Sequence, residues 1–360
     1  KGLVINADYT WNFYGRNSNE HVRNFYDYTA VPGTENYYPW TNPSSITVSN
    51  YDDYYQAFNA FAEYSLSLAE KHNFKVLVGY NQEKKHNKYH WVGRKNLIDN
   101  DTPQINLAYG DISTSGSESM WSTNGLFFRL NYDYMGKYLF EVSGRYDGTS
   151  RFARKSRWGF FPSASVGWKL SEEKFWAPLK SGWDLFKLRF SYGALGNQQV
   201  SDYAYIRSVS TYNLGYIFEN GAANKPNGAT VGSSSMDGLT WETTYHYNLG
   251  LDLGFLGNRL AFTGDAYIRD TKGMITSGEA VPSVYGAAAP SANAANLRSM
   301  GIELTLSWKD TFTLAGSPFT YGVSVNYSDY LTKLTKYKNP SKVLGTYYEG
   351  MTFGEIWGFK

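Results

Sequence analysis

Residues 124–147 read NGLFFRLNYDYMGKYLFEVSGRYD, and the order of polar and apolar side chains within them decides the fold. Leu126, Phe128, Leu130, Tyr132 and Tyr134 fall on even positions, while Phe127, Arg129, Asn131 and Asp133 fall on odd ones. Successive strand side chains face opposite sides of a sheet, so this run, with Phe127 as its exception, is an amphipathic strand. After Met135-Gly136 the pattern resumes, with Tyr138, Phe140, Val142, Gly144 and Tyr146 opposite Glu141, Ser143, Arg145 and Asp147. Two alternating runs joined by a two-residue turn containing glycine predict a β-hairpin.

The same alternation recurs along the chain. Phe186, Leu188, Phe190 and Tyr192 oppose Lys187, Arg189 and Ser191, and Leu260, Phe262, Ala266 and Ile268 oppose Arg259, Asp265 and Arg269. Near the start, Leu3, Ile5, Ala7, Tyr9 and Trp11 oppose Asn6, Asp8, Thr10 and Asn12. Each run has one apolar face ending in aromatic rings and approaches the roughly 9–11 residues that a tilted strand needs to cross a bilayer.

Connections add a second signal. Short links at 69–73, 135–136 and 256–258 alternate with long ones at 14–56, 83–123 and 271–300. Outer-membrane barrels have short periplasmic turns and long external loops, so the asymmetry predicts which end faces out. Keeping the 256–258 turn on the periplasmic side calls for one further, weak strand within 212–219. The count is then roughly thirteen, an odd number with two free edges, and hydrocarbon tolerates no unpaired edge. The expected fold is all-β: part of an antiparallel transmembrane β-barrel, with residues 1–360 a single domain truncated at both ends.

Composition agrees and excludes other classes. Tyr, Phe and Trp make up 18% of the 360 residues and charged side chains also 18%, where a globular chain carries about 25% charged residues. No apolar stretch reaches the roughly 18 residues of a spanning helix, and the uncharged run 280–297 is interrupted by Pro282 and Pro290. A net charge of +2 is too small to attract a nucleic acid. The absence of cysteine removes disulfide frameworks, thiolate metal sites and cysteine nucleophiles. The chain opens at Lys1 without Met or an export signal, which suggests a piece of something longer.

The block 125–175, LFFRLNYDYMGKYLFEVSGRYDGTSRFARKSRWGFFPSASVGWKLSEEKF after its first glycine, resembles the SusC/RagA-type TonB-dependent outer-membrane transporters of Bacteroidota. KLRFSYGALGNQ (187–198), LTWETTYHYNLGLDLGFLGNRL (239–260) and AYIRDTKGMI (266–275) follow in that family's order. VPSVYGAAAPSANAANLRSMGIELTLSW (281–308) and YYEGMTFGEIWGF (347–359) complete the series, and Lys169-Leu170 stands where Arg-Ile is expected. The resemblance implies the middle and later strands of a barrel of about 22 strands. It also implies an outer-membrane location, a SusD-like surface lipoprotein as lid, and energy from TonB through an N-terminal region with plug and TonB box. The substrates implied are oligosaccharides or peptides too large for porins.

Several motifs invite other chemistry. In Arg145-Tyr-Asp147-Gly148-Thr-Ser-Arg151-Phe152 an acid catalyst would need a second carboxylate, so a strand end, a glycine turn and Arg–Asp pairing inside the lumen are expected. His86 and His90 lie four apart without an HExxH pattern and read as solvated loop residues, as do His21, His72 and His246. Asp52-Asp53 and Glu172-Glu173 lack calcium-loop spacing and read as solvated acidic turns. The segment 193–197 lacks the Lys-Ser/Thr of a phosphate loop and reads as a turn between strands. No catalytic residue, cofactor or metal site is expected.

Aromatics concentrate in the first long link, at Tyr14, Phe25, Tyr26, Tyr28, Tyr37, Tyr38, Trp40, Tyr51, Tyr54 and Tyr55. Rings with an apolar face and a polar tip suit sugars or peptides at a wet surface, though girdles and loop packing also use them. Tyr37, Tyr38, Trp40, Tyr54 and Tyr55 are the candidate ligand contacts. The leading expectation is an importer segment contacting outer-membrane lipid. The alternatives are a barrel receptor or adhesin without active transport and, less compatible with the strand lengths, a soluble carbohydrate-active β-sandwich.

Overall fold

In a computed structural model, the structure describes residues 2–28, 35–37, 42–206, 209–213, 227–231, 238–277, 284, 291–339 and 347–358. The described strands are β1 (Gly2–Val22), β2 (Tyr26–Tyr28), β3 (Glu35–Tyr37), β4 (Ser45–Leu68), β5 (His72–Lys95), β6 (Ile112–Tyr134), β7 (Tyr138–Thr149) and β8 (Trp158–Lys169). They continue with β9 (Trp183–Asn197), β10 (Val209–Asn213), β11 (Asn227–Val231), β12 (Glu242–Phe255), β13 (Leu260–Ser277), β14 (Ser291–Leu314) and β15 (Ser317–Lys336). Eleven of them form one sheet in the order β1-β4-β5-β6-β7-β8-β9-β12-β13-β14-β15. This is the all-β antiparallel wall expected of a transmembrane barrel.

The count differs from about thirteen because the remaining strands stand apart as two ribbons, β2–β3 and β10–β11. β10 overlaps only the start of the strand expected within 212–219, and 214–220 lie outside the described residues. No wall strand intervenes at that point, since β9 pairs directly with β12 through Tyr192↔Tyr247. The turn at 256–259 needs no extra strand, because the β8–β9 link of two 3-10 helices, Leu170–Glu172 and Lys174–Leu179, lies at the same end of the sheet. Residues 193–197 are not a turn; they form the last residues of β9.

The other links at that end are tight. Met135 and Gly136, at φ 55° and 70°, both take the left-handed conformation of a type I′ turn, whose twist matches the strands it joins. The opposite links are shorter than the alternation suggests, because strands continue into them. β4, β5 and β14 each have 24 residues, more than twice what a tilted crossing needs. Beyond hydrocarbon both faces of a ladder meet water, so backbone pairing persists after the polar–apolar alternation stops.

Contacts divide the chain into two compact units, one of Lys1–Ala7, Ala60–Asn81 and Asn124–Lys360, the other of Asp8–Asn59 and Gln82–Thr123. In the first, the apolar side chains of the alternating runs point away from the sheet into open surroundings: Leu126 and Leu249 are each 59% exposed in mid-wall. Exposure on that scale in a continuous apolar band marks a lipid-facing surface. Its buried core is small and lies where links cover the sheet: Phe152, Phe161, Ala194, Leu239 and Trp241. In the second unit Ile46, Leu97 and Ala108 pack together.

Candidate functional site

The polar face of the first unit is assembled from single residues of many strands. Glu141 pairs with Ser165, Ser165 with Ser191, Ser191 with Asn248, Asn248 with Tyr267, Tyr267 with Gly301 and Gly301 with Tyr330. One row of polar side chains and glycine thus crosses seven strands. Beside it Arg189 donates through Nε and Nη2 to both oxygens of Asp252, at 2.9 and 3.0 Å, and through Nη2 to Asp265 at 3.1 Å. Asn248 donates to the other oxygen of Asp265 at 2.7 Å. A recess of about 680 Å³ includes Asn131, Glu141, Ser165, Lys187 and Arg189 in its lining.

At 145–152 the expected Arg–Asp pairing forms, while the expected glycine turn at Gly148 does not. Arg145 clamps Asp147 with two hydrogen bonds at 3.1 and 2.9 Å, and Arg151 donates to Asp202 at 3.0 Å. Gly148 belongs to the strand rather than a turn, and Phe152 is fully buried against Trp241, rings 5.7 Å apart.

Other expectations are corrected. His86 and His90 sit on β5, not in a loop, and His86 bonds the Glu118 carboxylate. Four residues apart on an extended strand is roughly 13 Å, too far to share an ion. Asp53 lies in β4 and pairs with Lys85 at 2.9 Å. Glu173 accepts from the Tyr138 hydroxyl at 2.6 Å, Trp168 Nε1 at 3.2 Å and Lys137 Nζ at 3.4 Å, so it is an anchored carboxylate and not a solvated one. The Tyr138 hydroxyl, then the Trp168 N–H, hold it below the usual carboxylate range, helped by Lys137 against a smaller desolvation effect. Among the described residues no group of three or more His, Cys, Asp or Glu could hold a metal ion.

The ligand candidates separate in the second unit. Tyr38 and Trp40 lie outside the described residues, and Tyr37 is placed by its backbone in β3. Tyr54 packs on Phe13, ring centroids 5.0 Å apart, and stands 6.2 Å from the His86 ring. Its neighbour Tyr55 points the other way and donates to Glu83 at 3.1 Å; burial, then the Glu83 carboxylate, raise its phenol above the ordinary range. A recess of about 360 Å³ in this unit is lined by Tyr14, Arg16 and Ser18 of β1, Ser49 and Tyr51 of β4, and Tyr89 of β5. Tyr14 meets Tyr51 edge to face at 6.2 Å. Tyr14 and Tyr51 belong to the aromatic cluster visible in sequence and Arg16 follows Tyr14 by two residues on the same face of β1, whereas Tyr89 of β5 joins through strand pairing.

Residues 2–357 match the family described as TonB dependent receptor-like, beta-barrel. The chain is 31% identical over 312 residues to the TonB-dependent receptor SusC of Bacteroides thetaiotaomicron, covering 83% of this chain and 29% of that protein. It is 27% identical over 311 residues to TonB-dependent receptor P3 of Formosa agariphila, covering 85% and 29%. Among solved structures it is similar to the RagAB peptide transporter, with a TM-score of 0.78 at 21% identity over 94% of this chain and 35% of that one. The chain therefore spans under a third of the length of these curated relatives.

Proposed function

The chain belongs to the TonB-dependent receptor-like β-barrel family, whose barrels reside in the outer membrane, and from that premise we propose that it forms wall strands of an active nutrient importer. The whole transporter carries oligosaccharides or peptides, works with a SusD-like surface lipoprotein, and draws energy from TonB through a region outside these residues. Residues 1–360 then constitute part of one barrel domain. Its task is passage, and no catalytic step is assigned to it. The observation that carries the reading is the polar row from Glu141 to Tyr330, set against an exposed apolar band on the opposite side. A wall with lipid on one side and a wet interior on the other is what a conduit needs. Of the sequence candidates, Tyr55 shares the face of Tyr51 in the second unit, and ligand contact is assigned to that face.

Affinity capture of the full-length parent protein from mild detergent tests this. Co-purification of a SusD-like lipoprotein with a bait that sediments with outer membrane is the expected result. A membrane-bound bait without such a partner would favour a receptor or adhesin, and a bait soluble without detergent would overturn the barrel role.

A further inference from the structure

Arg16 lines the recess of the second unit together with Tyr14, Tyr51, Tyr89, Ser18 and Ser49. Its volume, about 360 Å³, falls at the small end of the roughly 300–1,000 Å³ typical of ligand pockets. Neighbouring cations are committed elsewhere. Lys85 pairs with Asp53 at 2.9 Å, Arg23 with Asp101 at 2.7 Å, and Arg94 is directed at the carbonyls of Gly110 and Ile105. Among the described residues no carboxylate lies within ion-pair distance of Arg16. The nearby acids are engaged as well, Asp52 accepting from Asn50 and Asp53 held by Lys85.

An arginine on a solvated surface is ordinary, but an uncommitted guanidinium among three tyrosine rings in a concave site is a recognition element. The rings offer apolar faces for the C–H surface of a sugar, and the hydroxyls of Tyr14 and Tyr89, with Ser18 and Ser49, offer hydrogen bonds to its alcohols, while Tyr51 donates to Asp53 at 3.4 Å. A planar guanidinium matches a carboxylate with two parallel hydrogen bonds, which a neutral sugar cannot complete. We propose that this recess binds a carboxylate-bearing residue of an acidic oligosaccharide, with Arg16 on the acid and Tyr14, Tyr51 and Tyr89 on the ring. The assignment rests on the importer reading and narrows its substrate class.

The test uses the full-length protein in detergent and two probes: a short oligogalacturonate and its fully methyl-esterified form, which keeps the sugar rings and removes the charge. Calorimetry at low salt is expected to give the acid an advantage of roughly tenfold or more, shrinking as salt is raised. Arg16→Gln is expected to abolish the preference, Arg16→Lys to retain part of it, and Tyr51→Ala to weaken both probes. Equal affinity for acid and ester in the unaltered protein, or a preference that survives Arg16→Gln, would overturn the proposal. Failure to bind either probe would overturn the site while leaving the importer reading to the lipoprotein capture described above.

Discussion

Arg189 lies directly against Gly250: a methyl group on that glycine would stand 2.5 Å from the guanidinium carbon. Gly250 pairs with Arg189 on one side and with Asp265 on the other, so the side chain crosses a bare backbone to reach its second carboxylate. The missing Cβ is what permits one arginine to bridge Asp252 and Asp265.

Gly250→Ala should therefore separate Arg189 from Asp265 and destabilise the barrel by about 1–3 kcal/mol. Arg189→Met should cost more than Asp265→Asn, because it removes the bidentate partner of Asp252 and the cation of Asp265, leaving only Lys187, 3.9 Å from Asp252, to offset two facing carboxylates. Urea unfolding midpoints of the refolded barrel in lipid vesicles would measure both. A Gly250→Ala midpoint equal to that of the unaltered protein would show that Arg189 reaches Asp265 by another path.

Phe152→Ala should cost about 3–5 kcal/mol, since it empties a fully buried site and removes the edge contact with Trp241. The same Trp241 packs on Phe161 at 5.1 Å and donates through Nε1 to the Arg157 carbonyl at 3.0 Å. The loss should fall on the β7–β8 link, read as faster protease cleavage near 150–157 with slower change elsewhere. Uniform cleavage across the chain would contradict that localisation.

Glu173 makes stability sensitive to acid in a defined direction. Its carboxyl sits lower in the folded chain than its unfolded value near about 4.3. The folded state thus binds fewer protons, and the carboxylate's contribution is complete above that value and disappears as pH falls through the folded one. Unfolding midpoints should drop across this window for the unaltered protein and drop less for Glu173→Gln. Parallel pH profiles for the two would remove Glu173 from the account.

Tyr55→Phe keeps the ring and deletes the hydrogen bond to Glu83, and should cost the second unit about 0.5–1.5 kcal/mol. With its phenol raised above the ordinary range, Tyr55 remains a donor at any pH up to about 10. Hydrogen exchange in β4 and β5 should accelerate for Tyr55→Phe and for Glu83→Gln, by similar amounts and independently of pH between about 6 and 9. Acceleration in only one of the two variants would separate the partners.

The sequence by itself determined the membrane-crossing part of the fold. A period of two over 126–146 and 186–192 is imposed by lipid on one face and water on the other, so it can be read without any knowledge of the neighbours. The same physics made 83–95 and 45–56 look like loop, because those stretches of β4 and β5 have water on both faces and keep their pairing without alternation. Only tertiary structure decided that 193–197 continues β9, that β10 and β11 leave the wall, and that Asp53 and Glu173 are anchored. The recess lined by Arg16 divides in the same way. Tyr14 and Tyr51 were visible as part of an aromatic cluster and Arg16 follows Tyr14 by one strand period, but Tyr89 joins them through the pairing of β1 with β4 and of β4 with β5, a register no local pattern encodes. Strand register places side chains on a shared face, and it is settled by the whole ladder of backbone hydrogen bonds rather than by the residues that meet there.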